Sequence, residues 1–150
     1  MQLSLQTAGA AVLLTAGVLA QPFPPRAPAA APQTSPGQTV SGNIEHGRYL
    51  VHSVAMCQQC HSPRDEEGKL IESRLFDGGP IPMRPPWPND WAIIAPRNKG
   101  LPGYDDAAAM RLLTEGAIGR NGKQLREPMP RFHMTKQDAA DVIAYMRSLK

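Results

Sequence analysis

The sequence predicts an all-α domain of three helices joined by long irregular loops and built over a body that the chain does not itself encode. Three observations lead there. Amphipathic helical stretches can be read at about 44–56, 106–115 and 136–149. Residues 62–104, between the first two, hold eight prolines and show no strong periodicity. Aromatic residues are only 5% of a chain that is 41% hydrophobic, so large apolar bodies are scarce. So long a loop is reasonable in a small domain only if it wraps something bulky.

Before the first helix the chain reads as leader and linker. Its first 25 residues carry no charged side chain, and residues 8–20, AGAAVLLTAGVLA, form an apolar run of thirteen. That length suits the core of an export signal and is short for a membrane span. Val18-Leu19-Ala20 places small residues before Gln21, so a signal peptide over 1–20 is expected, or a weak membrane anchor if it is retained. No Lys or Arg precedes the run, which is atypical. Residues 21–43 carry six prolines among Ala, Gln, Ser, Thr and Gly, the composition of a semi-rigid linker. The folded domain is expected over 44–150.

Each helix has its own local grammar. In the first, Ile44, Gly47, Leu50, Val51 and Val54 recur at three- and four-residue steps, with Asn43 as N-cap. In the second, DAAAMRLLTE, Asp105 caps the start and Gly116 ends it in a left-handed conformation. In the third, Thr135 and Asp138 resemble a capping box. Ala139, Val142, Ile143, Met146 and Leu149 make its buried stripe, and Arg147 in the last turn suits the helix dipole. Residues 69–76, KLIESRLF, suggest a short β excursion.

Residues 57–61 read CQQCH and contain the chain's only two cysteines. A thioredoxin-like dithiol would sit at the start of a helix after a strand, whereas this pair follows a helical stretch. A structural zinc site needs four ligands, and His46, His52 and His133 do not form a second pair. A disulfide across two residues closes a trivial loop and stabilises little. Cys-X-X-Cys-His is also the attachment pattern of c-type haem. Its spacing lets two thiols add to the two vinyl groups on one porphyrin edge, while the adjacent histidine lies under the ring and binds iron. Cys57, Cys60 and His61 are the residues concerned.

With that reading the chain resembles a monohaem class I c-type cytochrome, similar to the cytochrome c subunits and domains of bacterial alcohol, sugar-acid and aldehyde dehydrogenases. The resemblance covers about 44–150. It rests on GRYLVHSVAMCQQCH, a long loop, AAAMRLLTEG, the element EPMPRF and the closing DAADVIAYMRSLK. It implies a class I cytochrome c fold around one covalent haem c, with the first and last helices crossing where Gly47 meets Tyr145.

Iron then needs a second axial group. Met56 abuts Cys57, Met110 and Met146 lie on helical faces, and Met83 sits in a proline-rich loop. Met129, held between Pro128 and Pro130, is the expected ligand, because two prolines keep its loop out of helix. Met134 reads as an apolar residue packing back on the last helix, and His133 would give bis-histidine ligation. A carbonyl should fix the His61 ring, Pro80 being the candidate, and Trp91, Arg97 and Asn98 are candidate propionate donors.

The expected function is one-electron transfer, without bond chemistry by any side chain, in an exported (periplasmic) protein. Its partners would be redox proteins: a dehydrogenase donor and a cytochrome or oxidase acceptor. The alternative is a haem enzyme or gas sensor with a labile sixth ligand; a zinc-binding module is weaker. Charge points away from nucleic acid, since 16 basic and 13 acidic residues give a net +3 and form no basic stripe with interleaved aromatics. Two ionised propionates would lower that to about +1, so steering by net charge is expected to be weak. Membrane contact is expected only through a retained N-terminus.

Overall fold

The computed structural model describes residues 41–150; the expected signal peptide and most of the linker lie outside the described residues. Four α-helices follow in order: α1 (Ile44–Tyr49), α2 (Gln58–His61), α3 (Asp106–Thr114) and α4 (Lys136–Ser148). The only sheet among them is a pair of two-residue strands, β1 (Gly79–Pro80) and β2 (Ile94–Ala95), so the domain is all-α in substance. None of these helices is long and apolar enough to cross a membrane.

α1 starts where the Asn43 side chain accepts the His46 N–H at 3.1 Å. It does not continue to residue 56. Leu50–Val54 form π-helical turns, with the Ala55 N–H donating to the Leu50 carbonyl at 2.8 Å. A π turn adds a residue and slips the apolar register. Gly47 and Val51 are buried, as the spacing predicts, whereas Ile44 and Val54 are about half exposed. Met56, at φ +48°, then closes the segment, and the Cys57 N–H donates six residues back to Val51 at 3.0 Å. This is a Schellman-type stop built on a methionine instead of a glycine.

α1 packs chiefly on α4. A Cβ at Gly47 would overlap the Asp141 carbonyl oxygen and approach Tyr145 Cβ to 2.9 Å, so only glycine lets the helices touch. α4 begins where Thr135 accepts the Asp138 N–H at 3.1 Å and its hydroxyl donates to the Asp138 carboxylate at 2.8 Å. Its buried face holds Ala139, Val142, Ile143 and Met146, with Tyr145 added, and meets α3 through Ala109 and Leu113. α3 starts on Asp105, whose carboxylate accepts the Ala108 N–H at 2.7 Å, and Gly116 follows it at φ +86°. Arg147 does more than complement a dipole: its guanidinium donates to the carbonyls of Gly100 and Tyr104 and meets Asp106, tying the loop before α3 to the end of α4.

The α1–α4 contact carries a buried carboxylate. Asp141 is 2% exposed and accepts the Asn43 N–H at 2.7 Å, the His46 Nδ1–H at 2.7 Å and the Gln137 amide at 2.8 Å. Burial alone would raise its pKa, but these donors outweigh it and hold it below the ordinary value. Because the folded pKa is depressed, the stabilisation is present above the unfolded value and is lost as pH falls through the folded one. Asp141→Asn should therefore cost about 2 kcal/mol near neutrality. Thermal melts should show the gap from wild type narrowing below about pH 4.

The 69–76 stretch corrects the expectation of a β excursion. Leu70 makes one isolated bridge to Arg64, and Glu72–Arg74 form a 3-10 turn. Phe76, 1% exposed and at φ +67°, plugs the core instead, with its N–H held by the buried Ser62 hydroxyl at 2.9 Å. A buried anchor and a left-handed residue leave no ladder for neighbouring strands.

Candidate haem site

The CQQCH residues do not end the first helix. Cys57 is the N-cap of α2, and the Gln58 side chain reaches back to the His52 carbonyl at 2.9 Å. Cys57 and Cys60 are not bonded to each other. Burial pushes the Cys57 thiol up to about 11, so it stays protonated at neutral pH. That is the opposite of the depressed thiol of a redox dithiol. Among the described residues the one group of three potential metal ligands is His46, Asp138 and Asp141, which includes neither cysteine and belongs to the α1–α4 contact.

His61 Nδ1 lies 2.8 Å from the Pro96 carbonyl. A carbonyl only accepts, so Nδ1 carries the proton and the lone pair sits on Nε2. Burial holds the ring's pKa below the ordinary value, with the Pro96 carbonyl opposing, so the imidazole is neutral and able to bind a metal. The carbonyl expected here was that of Pro80, which the structure does not use. β1 and β2 pair antiparallel with Gly79 opposite Ala95, and the Gly78 N–H donates to the His61 carbonyl at 2.8 Å. That pairing brings the residue after β2, Pro96, to the imidazole. Gly78 has φ +83°, and a Cβ there would come 2.7 Å from the Arg97 nitrogen.

The loop between β1 and β2 helps to line a cleft of its own, which holds Met129 and which none of Cys57, Cys60 and His61 borders. Pro86, Trp87 and Trp91 from this loop, with Leu125, Pro128 and Met129 from the stretch before α4, enclose a cleft of about 450 Å³. The two segments are joined by the Ala92 N–H to the Glu127 carbonyl at 2.7 Å and by Arg126 to Asp90 at 3.0 Å. The stretch is braced below: Gln124 donates to the Gly116 carbonyl at 2.6 Å, and the Gly116 N–H donates to the Phe132 carbonyl at 2.9 Å. Met129 faces this cleft half-buried. Met134 packs against the core, and the exposed His133 ring lies over Gly116. Met110 also borders the core and Met146 is part of it.

The polar candidates separate. Trp91 Nε1 is buried and has no hydrogen-bond partner, in the wall of the Met129 cleft. A buried indole N–H without an acceptor is costly, and a haem carboxylate is the kind of acceptor that would satisfy it. Asn98 Oδ1 is likewise buried without a partner, although an oxygen accepts and so does not itself serve a propionate. Arg97 is largely exposed, 3.9 Å from Asp77, and reads as a surface ion pair.

Comparison with known proteins shows the family. The family model described as Cytochrome c matches residues 44–150. The chain belongs to the cytochrome c family. A relative named "Diheme cytochrome c-type" from Cereibacter sphaeroides is 30% identical over 127 residues, a match covering 75% of this chain and 38% of the relative. The chain thus spans well under half the length of that curated relative. Membership implies covalent haem c and electron transfer, and it accounts for the all-α architecture with long loops.

Proposed function

We propose that this cytochrome c domain is an exported monohaem electron carrier with histidine–methionine ligation, similar to the cytochrome c subunits of bacterial dehydrogenases. The observation that carries the reading is the His61 imidazole, neutral and fixed through Nδ1 by the Pro96 carbonyl, immediately after two unbridged cysteines. The cleft containing Met129 and the partnerless Trp91 N–H fits the same group. Bound haem would supply the Fe(III)/Fe(II) couple.

The chain's own residues do the rest. Cys57 and Cys60 would hold a bound haem through thioether bonds, which would prevent its dissociation. His61 Nε2 and the Met129 sulfur would hold the iron of a bound haem, where a neutral thioether would favour the reduced state. The Pro96 carbonyl holds the imidazole plane, and Trp91 would supply a fixed donor to a propionate. Electron transfer itself would ask no side chain to move a proton or to make or break a bond. The single CxxCH in the sequence supports one haem, where the relative's name indicates two. The apolar run at 8–20 supports export.

Covalent attachment is the test. Expressed with its full N-terminus in a host that matures c-type cytochromes, the denatured chain should keep its haem, read by pyridine haemochrome spectra and haem staining. The Cys57→Ser, Cys60→Ser double variant should release it. Stoichiometric zinc without haem would overturn the reading.

A further inference from the structure

The buried Asp141 is one corner of a side-chain cluster that the haem reading leaves unused. His46 of α1 and Asp138 and Asp141 of α4 each offer one ligand atom, and the three atoms lie within 4.8 Å of one another. His46 Nδ1 is 2.7 Å from Asp141 Oδ2 and 4.0 Å from Asp138 Oδ1. The cluster is short of positive charge. Among the described residues neither carboxylate has an ion-pair partner besides His46. One negative charge is therefore left over when the ring is protonated, and two when it is neutral.

Each carboxylate is held by the oxygen that faces away from this pairing. Asp138 Oδ2 accepts the Thr135 hydroxyl at 2.8 Å, which leaves Oδ1 toward the ring. Asp141 Oδ1 accepts the Asn43 N–H at 2.7 Å and the Gln137 amide at 2.8 Å, which leaves Oδ2 toward the same nitrogen. Outer hydrogen bonds of this kind are what orient carboxylate ligands in metal sites. Asp141 is 2% exposed, so water screens its charge poorly. The His46 and Asp138 side chains are 44% and 35% exposed and give an ion a way in.

We propose that His46 Nδ1, Asp138 Oδ1 and Asp141 Oδ2 form a zinc site that clamps α1 to α4, with water in the remaining position. The inference goes beyond the electron-carrier reading and shares no residue with it. One imidazole nitrogen with two carboxylate oxygens suits zinc, whereas calcium and magnesium take shells of oxygen. Tetrahedral zinc, with bonds near 2.0–2.2 Å, needs its ligand atoms about 3.3 Å apart. The spacings of 2.7 and 4.0 Å fall on either side of that value, so small side-chain rotations suffice. Zinc takes the place of the Nδ1 proton, and the ring's proton moves to Nε2. The clamp reaches the start of the domain as well. Asn43 bonds Asp141 directly, and the Ser41 carbonyl accepts the Gln137 amide at 3.1 Å. Zinc would therefore fasten the entering chain together with the two helices.

The test is titration of the chelator-treated holoprotein with zinc chloride, followed by calorimetry and thermal melting. Haem occupies Cys57, Cys60 and His61 in that form, so zinc cannot bind at CQQCH. One zinc per chain is expected. At a hundredfold excess over its dissociation constant it should raise the melting temperature by about 10 °C, because it binds only the folded chain. Calcium and magnesium chloride should not. Asp138→Asn keeps the helix cap, since Thr135 still accepts the residue 138 N–H, so its metal-free melting should stay near wild type. It should weaken zinc binding about tenfold or more, and His46→Gln should do the same. His133→Gln, on an exposed ring outside the cluster, should leave binding unchanged. Zinc that gives neither heat nor a melting shift overturns the site. So does an affinity that survives both Asp138→Asn and His46→Gln, or one lost with His133→Gln. An equal melting shift from calcium also overturns it, by showing a general response to divalent charge.

Discussion

Met129→Ala should abolish the methionine-to-iron charge-transfer absorption and lower the reduction potential on the order of 0.1 V or more while leaving haem attached. Axial ligands command a span of roughly 0.8 V, and a neutral thioether lies toward the high end because it favours Fe(II). Attachment is expected to survive because it depends on Cys57 and Cys60, which lie on α2 and not on the Met129 stretch. The two neighbours that compete for the role give contrasting outcomes. Met134 packs against the core, so Met134→Ala should lower the melting temperature and keep the absorption band. His133 is exposed over Gly116, so His133→Ala should change neither by much. Near-infrared absorption and film voltammetry on the three variants decide the assignment, and survival of the band in Met129→Ala would show that another group binds the iron.

Gly47→Ala should damage the domain severely for a single methyl group. A Cβ there overlaps the backbone carbonyl of Asp141 and lies 2.9 Å from Tyr145 Cβ, so relief requires α1 to back away from α4. Overpacking against flexible side chains costs about 1–3 kcal/mol, and a fixed backbone yields less readily, so about 3 kcal/mol or more is expected. For a domain of this size that is a fall of roughly 10–20 °C in melting temperature. Separation of the helices would also loosen the Asn43 and His46 bonds to Asp141, so the variant should lose part of the acid sensitivity that this carboxylate confers. Gly68→Ala is the control. Gly68 has φ +81° but nothing within 4 Å, so its variant should cost only about 1 kcal/mol of backbone strain. Equal melting shifts for the two would show that close helix approach is not what Gly47 provides.

The legible parts of this molecule were those written locally. The Asp105 cap, the Thr135–Asp138 pair and the stripe from Ala139 to Met146 each occupy one or two turns, and α3 and α4 form within two residues of the expected bounds. The close approach of Gly47 to Tyr145 was implied by family resemblance, and the structure has it. What the sequence hid depends on contacts between distant segments. Nothing local in LVHSV announces π turns, or a methionine stop just before Cys57. The His61 acceptor could not be chosen among the loop's prolines, because the choice of Pro96 follows from a two-residue strand pairing across thirteen intervening positions.

The short ladder of β1 and β2 has a consequence for how such a protein can diversify. Its two rungs, Gly79 with Ala95 and Pro80 with Ile94, close off everything between them from the imidazole they steady. The tip of that stretch, 82–85, can therefore lengthen, shorten or change composition while Pro96 keeps its place at His61, whereas Pro86, Trp87 and Trp91 are tied to the Met129 cleft. Variation and the setting of the imidazole become separable traits, one held in an exchangeable tip and the other in the clasp that shuts it. A lineage could rework those few residues and leave the bond between His61 and the Pro96 carbonyl as it was.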